Sequence, residues 1–304
     1  MRVKLIDVDS TIPNLALMKL SAYHKAKGDE VGFNIEDPEK VYASIIFKKN
    51  RYKADGLRFY YPDAEIDVGG SGYDLHKRIP EGAELLCPDY SLYEGMDFDL
   101  GFTSRGCDRG CYFCIVTRKE GPYRRVQHPS EFHDPSHKKV MLLDNNILLD
   151  KEWFFETSEW FIKNNLAVDY NQGLDIRLVD DEVAQTLKRI KRWNALRFAF
   201  DDMSYKDDVV EGIRTLNRNG IKVRNNAIFY VYCHDQGHLP DAIERCRILK
   251  EEGALPFVMQ NREATFSKEM TDLKRWTRPW IFFSTDWEHY SQKGHRLAQR
   301  RGMA

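Results

Sequence analysis

The sequence predicts an α/β protein: a partial, TIM-like (β/α)6 barrel preceded by a small Rossmann-like α/β layer. Two patterns carry this expectation. Apolar strand-like segments alternate with helix-length amphipathic segments through most of the chain, and polar residues gather directly after the strand-like segments. The third observation is compositional: 304 residues, 42% apolar and 31% charged, describe a folded chain with room for one large or two modest domains.

The layer comes first. Residues 3–8 read as a strand, 15–23 as a helix that closes at Gly28, 41–47 as a second strand and 64–68 as a third, running into a turn at residues 69–72. Strand, helix, strand defines a layer over residues 1–88, joined by a proline-containing stretch to the larger remainder of the chain. Residues 97–285 then carry the barrel repeat, with strands expected at 100–103, 140–143, 168–174, 196–200, 227–232 and 255–259. The intervening helices show core-facing stripes, such as Val183, Leu187 and Ile190, or Val209, Ile213 and Leu216.

In β/α barrels the loops after the strand ends build the active site. Here Asp144-Asn145-Asn146 follow the second strand; the third carries Gln172, Asp175 and Arg177; the fourth runs into Asp201-Asp202, the fifth into Cys233-His234-Asp235 and the sixth into Gln260-Asn261-Arg262. Any one group would pass as an ordinary polar loop. Five of them predict a common pocket.

Six cysteines in a chain expected to be cytoplasmic point to metal or redox chemistry rather than disulfides. Cys107, Cys111 and Cys114 form a C-x-x-x-C-x-x-C cluster directly after the first barrel strand. Three thiolates can hold three irons of a [4Fe-4S] cluster and leave the fourth open to a ligand. Gly106 and Gly110 allow the loop to wrap closely. The competing metal is zinc, with His128 or His133 as the fourth ligand.

With Phe113 just before the last cysteine, this segment resembles the hallmark of the radical S-adenosylmethionine (SAM) superfamily, over residues 97–284. The resemblance implies a [4Fe-4S] cluster on Cys107, Cys111 and Cys114, SAM chelated at the open iron, and reductive cleavage to a 5′-deoxyadenosyl radical that abstracts hydrogen from a substrate. It also implies an external one-electron reductant of flavodoxin or ferredoxin type. Asp144, Asn145 and Asn146 stand where the family has a Gly-Gly-Glu-like turn for the methionine amino group, without the glycines. Gln172 and Arg177 resemble the contacts to ribose and SAM carboxylate, and Asp201 occupies the place of an acidic residue in a Gly-Ile-Glu-Ser-like element. The alternative is a non-catalytic iron-sulfur or zinc scaffold.

Cys246 shares a helix face with Leu239, Ile243 and Leu249 and reads as core; Cys87 reads as structural. Cys233 and Asp235 fall at the mouth and are the candidates for a substrate-side catalytic role, with an auxiliary cluster on Cys87, Cys233 and Cys246 as the alternative use of the scattered thiols. The layer-plus-barrel order resembles cobalamin-binding radical SAM enzymes and, more distantly, methylthiotransferases. The Asp-x-His-x-x-Gly signature is missing at Asp7-Val8-Asp9-Ser10-Thr11-Ile12, so cobalamin is not expected.

Charge sets the partners. Forty-six basic and 47 acidic side chains leave a net charge of −1, with no whole-molecule field toward nucleic acid or anionic membrane. No apolar run is long enough for a bilayer and residues 1–7 lack a signal-peptide core. The tail, residues 286–304, carries Lys293, Arg296, Arg300 and Arg301 and is expected to be a solvated end, with nucleic-acid phosphates as the alternative partner.

Overall fold

The computed structural model describes residues 1–261 and 267–290, a mixed α/β chain with parallel sheets. Its contacts divide it into two units: Met1–Asn145 with Asn165–Ala167, and Asn146–Asn164 with the residues from Val168 onward. The basic tail from Lys293 and the loop residue Arg262 lie outside the described residues.

In the first unit, Arg2–Asp7 (β1) alternates charged and apolar residues, which buries Val3 and Leu5. Leu15–Ala26 (α1) starts at an Asn14 cap, whose side chain accepts the Leu17 N–H, and lays Leu17 and Leu20 on Val3 and Leu5. Glu30–Gly32 (β2), Lys40–Ser44 (β3) and Glu65–Gly69 (β4) complete a parallel sheet in the order β2-β1-β3-β4, with Lys53–Tyr60 (α2) between β3 and β4. The strand β2 is too short to leave a periodic signal. The 69–72 turn bonds to Ile45, which accepts the Gly72 N–H and donates to the Gly69 carbonyl at 2.9 Å each.

The carboxylates in place of the missing signature are engaged by the chain itself. Asp9 accepts from Ile46 N, Phe47 N and Asn50 Nδ2, and Asp7 accepts from Ser10 N and Tyr93 Oη. After Glu81–Glu84 (α3), the same unit continues through Asp99–Gly101 (β5), the two-residue strands Ser104–Arg105 (β6) and Arg124–Arg125 (β7), Val116–Glu120 (α4) and Lys139–Leu142 (β8). β5 pairs in parallel with β8. Lys19 of α1 is buried and donates to the Glu84 carbonyl and, at 3.4 Å, to Gln127 Oε1; burial pushes its ammonium pKa down. Gln127 in turn donates to the Leu85 carbonyl, so buried hydrogen bonds tie the layer to the segment that follows the cysteines.

The second unit holds Lys151–Lys163 (α5), Ala167–Tyr170 (β9, from Val168), Asp181–Arg189 (α6), Lys191–Arg192 (β10), Leu196–Ala199 (β11), Lys206–Arg218 (α7), Val223–Asn226 (α8), Ala227–Cys233 (β12), Leu239–Glu251 (α9), Leu255–Gln260 (β13), Lys268–Trp276 (α10) and Pro279–Phe282 (α11). β11, β12 and β13 form a parallel sheet. The α7 stripe Val209, Ile213 and Leu216 is fully buried, each side chain contributing roughly 1.5–3 kcal/mol of burial.

Among the described residues no closed barrel forms. The expected third strand, residues 168–174, stops at Tyr170. Gly173 takes a left-handed conformation (φ 96°) and donates to the Tyr170 carbonyl, so only Leu174 returns, to a single bridge with Phe198. Gln172, expected on that strand, lies exposed in the turn.

Candidate functional site

The cysteine loop is built on a clip. β6 and β7 pair antiparallel, Ser104 opposite Arg125 and Arg105 opposite Arg124, which closes the loop at its base. Asp144, just past β8 and buried, takes the backbone and hydroxyl donors of Thr103 at 2.9 and 2.6 Å and of Ser104 at 2.6 Å each. Burial pushes the Asp144 carboxyl above its ordinary range, against the pull of those donors. Asn145 Oδ1 accepts the Gly106 N–H at 2.9 Å. Gly106 itself has φ 84°, and a Cβ there would fall 2.1 Å from the Pro122 carbonyl oxygen. Arg105 lies 3.8 Å over the Phe102 ring and ion-pairs with Glu84 and Glu120.

Within the loop, Cys107 N donates to Gly121 O at 3.2 Å and Cys114 N to Cys111 O at 3.0 Å. The Val116 N–H points at Cys114 Sγ, 3.4 Å away, a donor of the kind that stabilises a thiolate. Cys111 is exposed, Cys107 and Cys114 half-buried, and the half-buried Phe113 meets Tyr112 edge-on at 5.1 Å. Among the described residues no three His, Cys, Asp or Glu side chains already converge as a metal cage. The thiols are carried on a positioned loop. Their number, accessibility and backbone donor match the chemistry of iron-sulfur ligation.

The histidines weighed as zinc ligands have other partners. His133 Nδ1 and His137 Nδ1 sit 2.5 and 2.8 Å from the two oxygens of the buried Asp99, and His128 Nδ1 is 2.6 Å from Ser130 Oγ.

In the second unit the strand-end residues form a chain of contacts. Asn146 Nδ2 reaches Asp175 Oδ2 at 3.3 Å, and Asp175 takes Arg177 in a fork, 2.7 Å from Nε and 3.0 Å from Nη2. The Arg177 guanidinium lies 4.4 Å over the Tyr205 ring, and Tyr205 Oη accepts the Asp201 N–H at 2.7 Å. Asp201 Oδ1 accepts the Tyr232 N–H at 2.8 Å, and burial lifts its carboxyl to about 6. The buried Arg245 donates to the Phe200 and Tyr232 carbonyls and to Asp241. Arg177 sits in a 3-10 turn, Ile176–Leu178, rather than on a strand.

Cys233 and Asp235 are not drawn into this set. Cys233 is fully buried beside Ala227, Phe229 and Val231 on the inner side of β12, and burial pushes its thiol up to about 11, so it is a core residue. Asp235 caps the 3-10 turn Gln236–His238, accepting Gly237 N and His238 Nδ1; the bond from His238 holds its carboxyl below the usual range. Two features went unread in the sequence. The β6–β7 clip has too few residues for a periodic pattern. Arg245 carried a signal, as a cation inside the apolar stripe of α9 one turn beyond Asp241.

No helix among the described residues is long and apolar enough to cross a membrane. Against known proteins, the chain matches no family model and no curated protein.

Proposed function

We propose that this chain is a radical SAM enzyme, with Cys107, Cys111 and Cys114 holding a [4Fe-4S] cluster at which SAM is reductively cleaved, the electron coming from a flavodoxin- or ferredoxin-type donor. The observation that carries the reading is the C-x-x-x-C-x-x-C loop itself, clipped at its base and held by Asp144 and Asn145 immediately after a parallel strand. The cluster, when bound, supplies a low-potential electron to the SAM sulfonium. The residues of the chain do the rest. The Val116 N–H supports the charge on Cys114, Gly106 admits the close turn against Pro122, and Asp144 fixes the loop entry. Arg177 and Asp201 are the cation and carboxylate assigned to SAM's carboxylate and hydroxyls in what we read as a partial (β/α)6 barrel, with Arg177 exchanging its fork on Asp175 for the ligand. A zinc scaffold is disfavoured by the engagement of His133 with Asp99 and of His128 with Ser130.

Anaerobic reconstitution followed by iron and sulfide analysis tests this. About four of each per chain are expected, with 5′-deoxyadenosine formed from SAM and dithionite. Retention of a full cluster after replacing all three cysteines by Ala, or a reconstituted cluster that never cleaves SAM, overturns the assignment. Arg177→Ala is expected to weaken SAM binding while leaving the iron content unchanged.

A further inference from the structure

The turn and helix between β3 and β4 expose what a folded chain ordinarily hides. Phe59 and Tyr60 on α2 are 87% and 79% exposed, and Tyr52 just before the helix is 66% exposed. Phe59 is the most exposed large apolar side chain among the described residues. The helix is anchored by Ala54 and Leu57 alone, so these rings add nothing to the core. Cations outnumber carboxylates around them: Lys48, Lys49, Arg51, Lys53 and Arg58 are all exposed, against the exposed carboxylates of Asp55 and Asp63 in the same connection. Arg51 lies 5.1 Å over the half-buried Tyr73 ring and Lys49 5.9 Å from the half-buried Phe47 ring. In a chain of net charge −1 this is a concentrated local excess.

We infer that this surface binds a single-stranded nucleic acid. Exposed rings offer platforms on which unpaired bases stack whatever their sequence, and the flanking cations follow the phosphates between them. A duplex hides its base faces and leaves the rings without a role. The cleft of about 520 Å³ bounded by α2 and β4 mixes Asp55, Glu65 and Asp67 with Arg58 and Lys77, so the phosphates are assigned to the cations outside it, Lys48, Lys49, Arg51 and Lys53. The surface lies in the same unit as the cysteine loop, and Arg78, beside the cleft residue Lys77, donates to the Lys119 carbonyl at the end of that loop. Arg109, Arg118, Arg124 and Arg125 are exposed on and beside the loop, with the exposed Asp108 among them. Binding of this kind does not depend on SAM chemistry.

The test is fluorescence anisotropy of the full chain with a labelled oligouridine of about 20 nucleotides, titrated at several salt concentrations, beside a duplex of equal length and phosphatidylglycerol vesicles. Phe59→Ala with Tyr60→Ala is expected to weaken oligouridine binding about tenfold or more with the salt slope retained. Lys49→Ala with Lys53→Ala is expected to lower the slope of log affinity against log salt by about 1.4, near 0.7 per lost phosphate contact. Phe59→Leu with Tyr60→Leu keeps the apolar area, removes the stacking faces, and is expected to behave like the alanine pair. Equal affinity for the duplex, vesicle binding without oligonucleotide binding, or full affinity in both aromatic variants overturns the inference. Because no SAM turnover is read, its failure leaves the cluster assignment standing, and the reverse.

Discussion

Asp144 accepts both the backbone N–H and the hydroxyl of Ser104, each at 2.6 Å, from a buried carboxylate that also takes the two donors of Thr103. One side chain at the end of β8 thereby fixes the entry to the cysteine loop. Asp144→Ala strands four donors in a buried place, where each unsatisfied group costs about 1–3 kcal/mol and partial relaxation leaves a net loss of about 3 kcal/mol. Urea denaturation should show that loss, together with reduced iron retention after reconstitution. An unchanged midpoint would mean the carboxylate is dispensable to the loop.

Gly106 separates strain from simple backbone preference. Gly106→Ala drives a Cβ to 2.1 Å from Pro122 O and must shift the backbone of the loop, whereas Gly110→Ala, at φ 61°, meets nothing within 4 Å. The first should abolish cluster loading and the second should cost only about 1 kcal/mol of stability. Equal loading in the two variants would contradict the close approach of Gly106 to Pro122.

Asp201 gives the second unit a pH dependence whose sign is fixed by its environment. Its carboxyl, lifted by burial to about 6, stays protonated in the folded chain where the unfolded chain has already ionised. This contribution to stability is therefore full below about pH 4 and is lost as pH rises through 6. Asp201→Asn preserves an acceptor for the Tyr232 N–H and removes the titration. Its melting temperature relative to the parent should rise between pH 4.5 and 7.5, and a flat difference would show that Asp201 titrates normally.

Thiol reactivity should sort the cysteines by burial. In metal-free folded protein at about pH 8, iodoacetamide should modify exposed Cys111 first, while Cys233 and Cys246 react only on unfolding, since both are fully buried with raised thiol pKa values. Peptide mapping by mass spectrometry checks this, and early labelling of Cys233 would return it to the rim.

The helices were legible because a 3.6-residue stripe survives any context: Val209, Ile213 and Leu216 all reach the core of the second unit. The strands were legible as apolar runs, yet the third was read past its end, because Gly173 looks the same in a strand as in the turn that breaks one. Parity held the answer for Cys233, which shares its side of β12 with Phe229 and Val231; reading the residue by its place at the strand end hid that. Asp144 illustrates a deeper limit. A carboxylate after a strand has one appearance whether it faces a ligand or the backbone of a neighbouring loop, and only the Thr103 and Ser104 donors decide.

On the proposed assignment, the two rungs of the β6–β7 ladder also bear on how the thiols between them would encounter a metal. By tying residue 104 to 125 and 105 to 124, they absorb the closure entropy of the loop into folding. Once one thiol has captured an ion, the other two present themselves at an effective concentration on the order of millimolar or higher. Ligand capture thus becomes a stepwise zippering on a chain that is already folded. For the proposed cluster, this means that iron is expected to be stripped and restored without passing through the denatured state.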